Sequence, residues 1–227
     1  MSELIVTIDG PAGSGKTTVA KKVARLLNFS LLESGSFYRA LSYVLLQKGI
    51  TKITTDELVK NIIKDILLNI EHTLSPEGTT LFYKKKPLRE ELRSKEVEEV
   101  VSEFSAHPFI REEVTNLLRE VVKGKKIISE GRDMGSFVFP EADVKFYFTA
   151  DLIERAHRRH RDFPHRSLEE IMNTLSIRDK KDSERGYAPL VIPRDAIIID
   201  TTKLNIEEVV EKVISVIKKK LCQKKNF

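Results

Sequence analysis

Nine residues, GPAGSGKTT at 10–18, stand between the apolar run LIVTID and the segment KTTVAKKVARLL. Three glycines within six positions suit neither a helix nor a packed strand, so the chain must turn sharply there. Residues 3–9, just before, are short, apolar and β-branched, the composition of a strand buried on both faces. Beyond the turn, Val19, Val23 and Leu26–Leu27 recur at helical spacing while Lys21, Lys22 and Arg25 take the other face. The spacing predicts a strand, a glycine turn and a helix that opens at about Lys16.

The rest of the chain extends this alternation. SLLES (30–34) reads as a second strand, followed by a helix that stops at Gly49. KIIS (126–129), VKFYFT (144–149) and AIIID, ending at Asp200, read as further strands. Helical segments separate the last two, and NIEEVVEKVISVIKKKL closes the chain. Strands alternating with helices imply an α/β fold whose parallel sheet is covered on both faces. Between about 50 and 124 the texture changes. TTDELVKNIIKDIL starts with an N-cap and an acidic first turn, NIEHTL and TTLFYKKK flank a Pro/Gly turn as a hairpin, and two charged amphipathic helices break at His107–Pro108. The expected organisation is a core of residues 1–49 and 125–227, with an inserted unit at 50–124 carrying a small antiparallel sheet.

Bulk properties exclude several classes. No segment approaches eighteen continuous apolar residues, and Glu3 spoils a basic-then-apolar leader, so a cytoplasmic protein without a membrane partner is expected. Cys222 is the one cysteine, which rules out an internal disulfide or a cysteine metal cluster. His157, His160 and His165 lie close together, but arginines between them would repel a cation, so no zinc site is expected. The net charge of +5 suits a phosphate-bearing partner without choosing between nucleotide and nucleic acid. Much of the excess lies in ERAHRRHRDFPHR (154–166) and in the tail KKKLCQKKNF, read as a solvated end that frays.

Gly10-x-x-x-x-Gly15-Lys16-Thr17 is the phosphate-binding loop signature. Gly10, Pro11, Ala12, Gly13, Ser14, Gly15, Lys16, Thr17 and Thr18 then form an anion cradle, with amides and a helix N-terminus aimed at phosphate oxygens. Lys16 reaches the β- and γ-phosphates and the Thr17 hydroxyl ligates Mg²⁺, so MgATP is the expected cofactor. A guanine-nucleotide switch would carry Asn/Thr-Lys-x-Asp, and TKLN (202–205) lacks the aspartate. A motor or transporter ATPase would end an apolar strand in a magnesium-holding acid. Asp200 could play that part, but AIIID reads better as a central strand running into a helix-capping region.

Three further clusters fall at strand ends or on one helix face. LLESGSFYRA supplies Glu33, Ser34 and Arg39, and SEGRDMGSFVFP supplies Glu130, Arg132 and Asp133. In SIRDKKDSERGYAP, Arg178, Asp182 and Arg185 recur at i, i+4 and i+7. Each alone reads as readily as a surface charge, a solvated turn or an ion-paired stripe. Together they offer several arginines without obvious acidic partners, which suits a second phosphate-bearing ligand facing the first.

TIDGPAGSGKTT, SGSFYRA, GRDMGSFVFPEADVKFYFTA, ERAHRR, RDKKDSERGYAPL and IIIDTTKLNIEEVV together resemble the bacterial cytidylate kinases, P-loop kinases of CMP and dCMP. The similarity runs over nearly the whole chain. Many families share the loop, whereas GRDMG with VFP, and R-x-x-x-D-x-x-R-x-x-A-P-L, are far more specific. The resemblance implies a three-layer core with a five-stranded parallel sheet, a monophosphate-binding domain enlarged by a small sheet, and a mobile basic lid at about 154–185. It implies transfer of the γ-phosphoryl group of MgATP to CMP or dCMP, giving CDP or dCDP, by a monomer with no nucleic-acid partner. Carried over by position, Arg39, Arg132 and Arg185 hold the CMP phosphate, and Ser102, Arg111 and Asp133 read the cytosine. Arg178 and Asp182 meet the sugar, and Ser34 lies beside the acceptor. Lys16, Arg132 and Arg185, with Arg155 and Arg158 of the lid, screen charge during transfer. Glu33 and Glu130 depart from the family's aspartates, each by one methylene. The rival readings are another small-molecule kinase and a nucleic-acid-binding ATPase; against a shikimate kinase, the chain has no Gly-Gly pair.

Overall fold

The computed structural model describes residues 3–225. Strand β1 (Leu4–Asp9) feeds the glycine turn and helix α1 (Lys16–Leu27), and β2 (Ser30–Glu33) feeds α2 (Ser34–Gln47). Helix α3 (Glu57–Leu68) then leads into β3 (Ile70–Ser75), β4 (Gly78–Tyr83) and β5 (Lys86–Leu88), followed by α4 (Lys95–Ala106) and α5 (Pro108–Val121). The alternation resumes with β6 (Lys126–Glu130) and β7 (Val144–Thr149). Helices α6 (Leu152–Asp162) and α7 (Leu168–Glu184), strand β8 (Ile197–Asp200) and helix α8 (Ile206–Lys225) complete the chain.

The large sheet has the order β2-β6-β1-β7-β8, and every neighbouring pair is parallel. Strand β1 is central, between β6 and β7, so the glycine turn leaves the sheet in the middle of its carboxyl edge. Ligands of open α/β sheets bind there. Leu4, Val6 and Ile8 pack with Val19, Val23, Phe146 and Phe148 on the face covered by α1 and α8. Leu32, Phe37, Leu41, Phe104, Val114 and Ile127 fill the opposite face. Each such side chain contributes roughly 1.5–3 kcal/mol on full burial, so the two apolar layers fix the sheet between them. One expected core residue is misplaced: Leu26 is 67% exposed. Ala20 and Ala24, fully buried, complete the inward face of α1 with Val19 and Val23 instead.

Residues 50–124 hold α3, a three-stranded antiparallel sheet and two helices. Asp56 caps α3 by accepting from the Leu58 amide at 2.9 Å, and Pro108 opens α5. Strand β5 was not expected. It is only three residues long, its Pro87 is tolerated because the strand lies on an edge, and no periodicity announces it. Lys84 and Lys85 make the turn before it with positive φ, the twist that a two-residue hairpin requires. Apolar residues of α3, α4 and α5 join α2 in a single cluster, so this segment shares its core with the large sheet.

Helix α8 runs through Lys225; the end of the expected fraying tail, residues 226–227, lies outside the described residues. Among the described residues, no helix is long and apolar enough to cross a membrane.

Candidate active site

Gly10 follows β1 with φ +145°, and a Cβ there would lie 2.1 Å from the Phe148 carbonyl oxygen. Only glycine lets the backbone pass that close to β7. Lys16 is buried at the start of α1, and its Nζ donates to the Pro11 carbonyl at 2.7 Å. Burial, and then the Arg132 guanidinium, push this ammonium well below the ordinary lysine range, while Glu130 and Asp9 oppose the shift. A polyanion in the loop would push it back up. Thr17 and Thr18 are exposed on the first helical turn.

Beside the loop, a cleft opens between α2, α4, the end of β6 and the end of α7. Ser34, Arg39, Ser102, Arg111, Arg132, Asp133, Arg178, Asp182 and Arg185 all line it, together with Tyr38 and Glu130. Residues from five separate stretches of chain are thus brought to one place. At Gly131 a side chain would meet Ser34 Oγ at 2.6 Å, so glycine lets β6 end against α2. Ser34 Oγ donates to the Glu130 carbonyl at 2.9 Å across that contact.

The expectation that these arginines lack acidic partners is corrected. Arg39 pairs with Glu98 at 2.7 Å and Arg132 with Asp182 at 2.9 Å. Asp133, buried, is held between Arg111 and Arg185. The physical reason is the cost of burying a guanidinium without a counter-charge. Arg178 is the exception among the five: among the described residues its guanidinium makes no ion pair or hydrogen bond, and burial, then Arg132, push it down to about 10. Arg185 stands one residue past the end of α7, where its Nε donates to the Ala188 carbonyl, so the expected i+7 helical position is an extended one.

Arg155 and Arg158, expected to screen charge from the lid, lie outside this cleft and against the glycine loop. Arg155 is buried against the loop, donating to the Ala12 carbonyl at 3.1 Å and pairing with Asp179. Arg158 donates to the Thr201 hydroxyl at 2.9 Å, and that hydroxyl donates to the Ser14 carbonyl at 3.2 Å. Both support the glycine loop from the α6 side. The two longer acids also part company. Glu130 lines the cleft, but Glu33 turns away: its carboxylate accepts from the Thr79 amide at 3.1 Å. Asp200 ends an edge strand, not a central one, and only caps its own turn by accepting from the Thr202 amide at 2.9 Å.

Some contributors carry weak signals or none. Asp9, fully buried, accepts from the Met134 and Gly135 amides at 2.8 and 2.7 Å and so anchors the segment that presents Arg132 and Asp133. Its one signal is an acid closing an apolar strand ahead of a glycine loop. Tyr38 lies under the Arg111 guanidinium, 5.2 Å from ring centroid to Cζ, and its buried hydroxyl has no hydrogen-bond partner. Arg111 Nε is unpartnered as well. Glu98 and Asp179 have no local signature at all.

An anion cradle at the central strand of a parallel sheet, with an arginine-lined cleft facing it, defines a P-loop phosphotransferase. Residues 6–219 match the cytidylate kinase family, and the chain belongs to that family. It is 38% identical to the cytidylate kinase of Pseudothermotoga lettingae over 95% of both chains. To that of Halalkalibacterium halodurans it is 37% identical over 97% of this chain and all of the other. Among solved structures, an uncharacterized protein from Eubacterium ventriosum aligns over 95% of this chain and 99% of its own, with a TM-score of 0.54 at 13% identity, a likeness of fold alone.

Proposed function

We propose that this chain transfers the γ-phosphoryl group of MgATP to CMP or dCMP, giving CDP or dCDP in pyrimidine metabolism. The observation that carries the reading is the charge of the cleft. Five arginines and three carboxylates line it, with Glu98 pairing one of the arginines from beside the lining, so the cleft is net positive and suited to a phosphomonoester dianion. Gly10–Thr18 takes the donor phosphates, with Lys16 at the bridge between donor and acceptor. Arg39, Arg132 and Arg185 take the acceptor phosphate beside Ser34, Ser102, Arg111 and Asp133 the base, and Arg178 and Asp182 the sugar. The unpartnered Tyr38 hydroxyl and Arg111 Nε support a polar ligand at the base end. Residues 50–124 act as the inserted acceptor-binding unit and about 154–185 as the lid.

Among the described residues, no group of three or more His, Cys, Asp or Glu side chains could hold a metal. The exposed Thr17 hydroxyl would be the protein's ligand to a Mg²⁺ brought by the donor phosphates. The ion, when bound, supplies charge neutralisation on the β- and γ-oxygens. The chain's own part is positioning. Lys16 and the arginines screen two anions so that an acceptor oxygen can approach phosphorus in line, and no covalent protein intermediate is involved. We take the enzyme to act as a cytoplasmic monomer on free nucleotides. The gathering of Arg39, Arg111, Arg132, Arg178 and Arg185 in one cleft supports the last of these, a free nucleotide as the ligand.

A coupled assay of ADP formation across CMP, dCMP, UMP, AMP and shikimate tests the proposal. CMP and dCMP should support turnover, UMP much less, AMP and shikimate none. Comparable rates on AMP would reject the acceptor assignment, and ATP hydrolysis stimulated by DNA or RNA would favour a nucleic-acid-dependent ATPase.

A further inference from the structure

A glycine-rich turn is conformationally soft, yet its amides must hold fixed directions to bind phosphate well. Within the loop, the Ser14 hydroxyl, the Ser14 amide and Lys16 Nζ all converge on the Pro11 carbonyl. None of them reaches Ala12. Both backbone polar groups of Ala12 are instead held from outside the loop. Its N–H donates to Asp179 Oδ1 at 3.4 Å, and its carbonyl accepts from Arg155 Nη1 at 3.1 Å. The same Nη1 donates to the other Asp179 oxygen at 2.5 Å, which closes a ring of three residues around the outer arm of the loop. Arg155 Nε is fixed in turn on the Ala150 carbonyl at 2.9 Å. Packing reinforces the ring. Ala12 joins Ala156, Ile171 and Leu175 in a small apolar cluster, and at Gly13, with φ +78°, a Cβ would stand 3.1 Å from the backbone of Arg155.

We propose that Asp179 is a positioning residue for the donor: by fixing Arg155 and the Ala12 amide, it sets the geometry of the phosphate loop from helix α7. This rests on the reading of Gly10–Thr18 as the donor site. Asp179 sits next to Arg178 but serves the opposite ligand, since it does not line the acceptor cleft. One helix therefore presents its acceptor residues and braces the donor loop.

The test separates the two ligands. Asp179→Ala should raise KM for ATP about tenfold while KM for CMP stays within about twofold. The Kd of ATP measured by calorimetry without acceptor should rise by the same factor. Asp179→Asn keeps an oxygen for the Ala12 amide but loses the charge facing Arg155, and should fall between parent and alanine variant, at about threefold. An ATP Kd unchanged within about twofold in the alanine variant, or an equal rise in both KM values, overturns the assignment. If Asp179→Ala does not fold, Asp179→Asn decides alone, and parental ATP affinity in it overturns the proposal. Failure of the parent protein itself to bind ATP would instead sink the reading of the loop.

Discussion

Asp9 shows how one buried acid can organise a site without touching a ligand. Burial pushes its carboxyl up to about 7, against the Gly135 and Met134 amides that pull it down. In the unfolded chain the group titrates near 3.8. Between those values the native state holds a proton that the unfolded chain has released, so this group's contribution to stability is full below about 4 and declines as pH rises to about 7. Asp9→Asn should remove that slope. It should also cost about 1–3 kcal/mol, because one amide carbonyl must replace two acceptors facing the Met134 and Gly135 N–H groups. Urea unfolding of parent and variant at several pH values checks both points, and a parent-minus-variant difference that stays constant from pH 4 to 7 contradicts the assignment. Lys16 is the contrasting case, a buried amine whose hydrogen-bond partners, the Pro11 carbonyl and the Ser14 hydroxyl, both belong to the loop. Lys16→Ala should leave the fold intact and lower kcat by about 10³-fold or more, measured in the coupled assay.

The elements meet through a few polar staples, and the plainest joins β2 to the tip of the β3–β4 hairpin. The Glu33 amide donates to Thr79 Oγ1 at 2.9 Å, the Thr79 amide returns a bond to the Glu33 carboxylate, and the Thr79 hydroxyl donates to the Leu31 carbonyl at 2.9 Å. Gly78 beside it has φ +144°, which favours glycine, and a Cβ there would stand 3.0 Å from the Glu33 carboxylate. The extra methylene of glutamate supplies the reach. Because Glu33 immediately precedes Ser34 and the start of α2, shortening it should loosen the acceptor side alone. Glu33→Asp and Thr79→Val should each raise KM for CMP about threefold with KM for ATP unchanged, and the double variant should be no worse than either single one. Additive effects would show that the two side chains act separately. Such staples were not legible in the sequence, whereas the glycine loop and its flanking strand and helix were. Gly10–Thr18 declares itself because its signal is local: backbone freedom, then amphipathic spacing. The β1, β2, β6 and β7 runs declare themselves by apolar, β-branched composition. Glu33 with Thr79, Arg39 with Glu98 and Arg132 with Asp182 are 46, 59 and 50 residues apart, and only the folded topology makes them neighbours. Candidate arginines, and the acids Asp133 and Asp182, could therefore be named from sequence, but not which acid holds which arginine, nor Glu98 at all.

Across the whole molecule, the cleft stores an excess of positive charge, and Arg178 is the one of its five arginines without an ion pair among the described residues. Arg39 has Glu98, Arg111 and Arg185 share Asp133, and Arg132 has Asp182, while Arg178 is half-buried beside Arg132 and Arg39, with Asp182 and Glu98 acting on it only from beyond ion-pair distance. An unpaired guanidinium in that setting is a cost to the fold retained for function. Two substitutions of the same chemistry should then have opposite effects on stability. Arg178→Gln removes the uncompensated charge and strands no acid, so its Tm should equal or exceed that of the parent. Arg132→Gln leaves Asp182 with only Arg185 at 3.9 Å, and its Tm should fall. Both should weaken acceptor binding, by about tenfold or more in KM for CMP, because each removes one charge from the cleft. Salt provides an independent reading. The Debye length shrinks from about 10 Å at 0.1 M to about 3 Å at 1 M, so KM for CMP should climb with ionic strength in the parent and climb less steeply in Arg178→Gln. Thermal melts of both variants, with CMP titrations at two salt concentrations, decide the matter. If Arg178→Gln lost as much Tm as Arg132→Gln, Arg178 would be held by a partner after all, and the dianion match of the cleft would have to be sought in other residues.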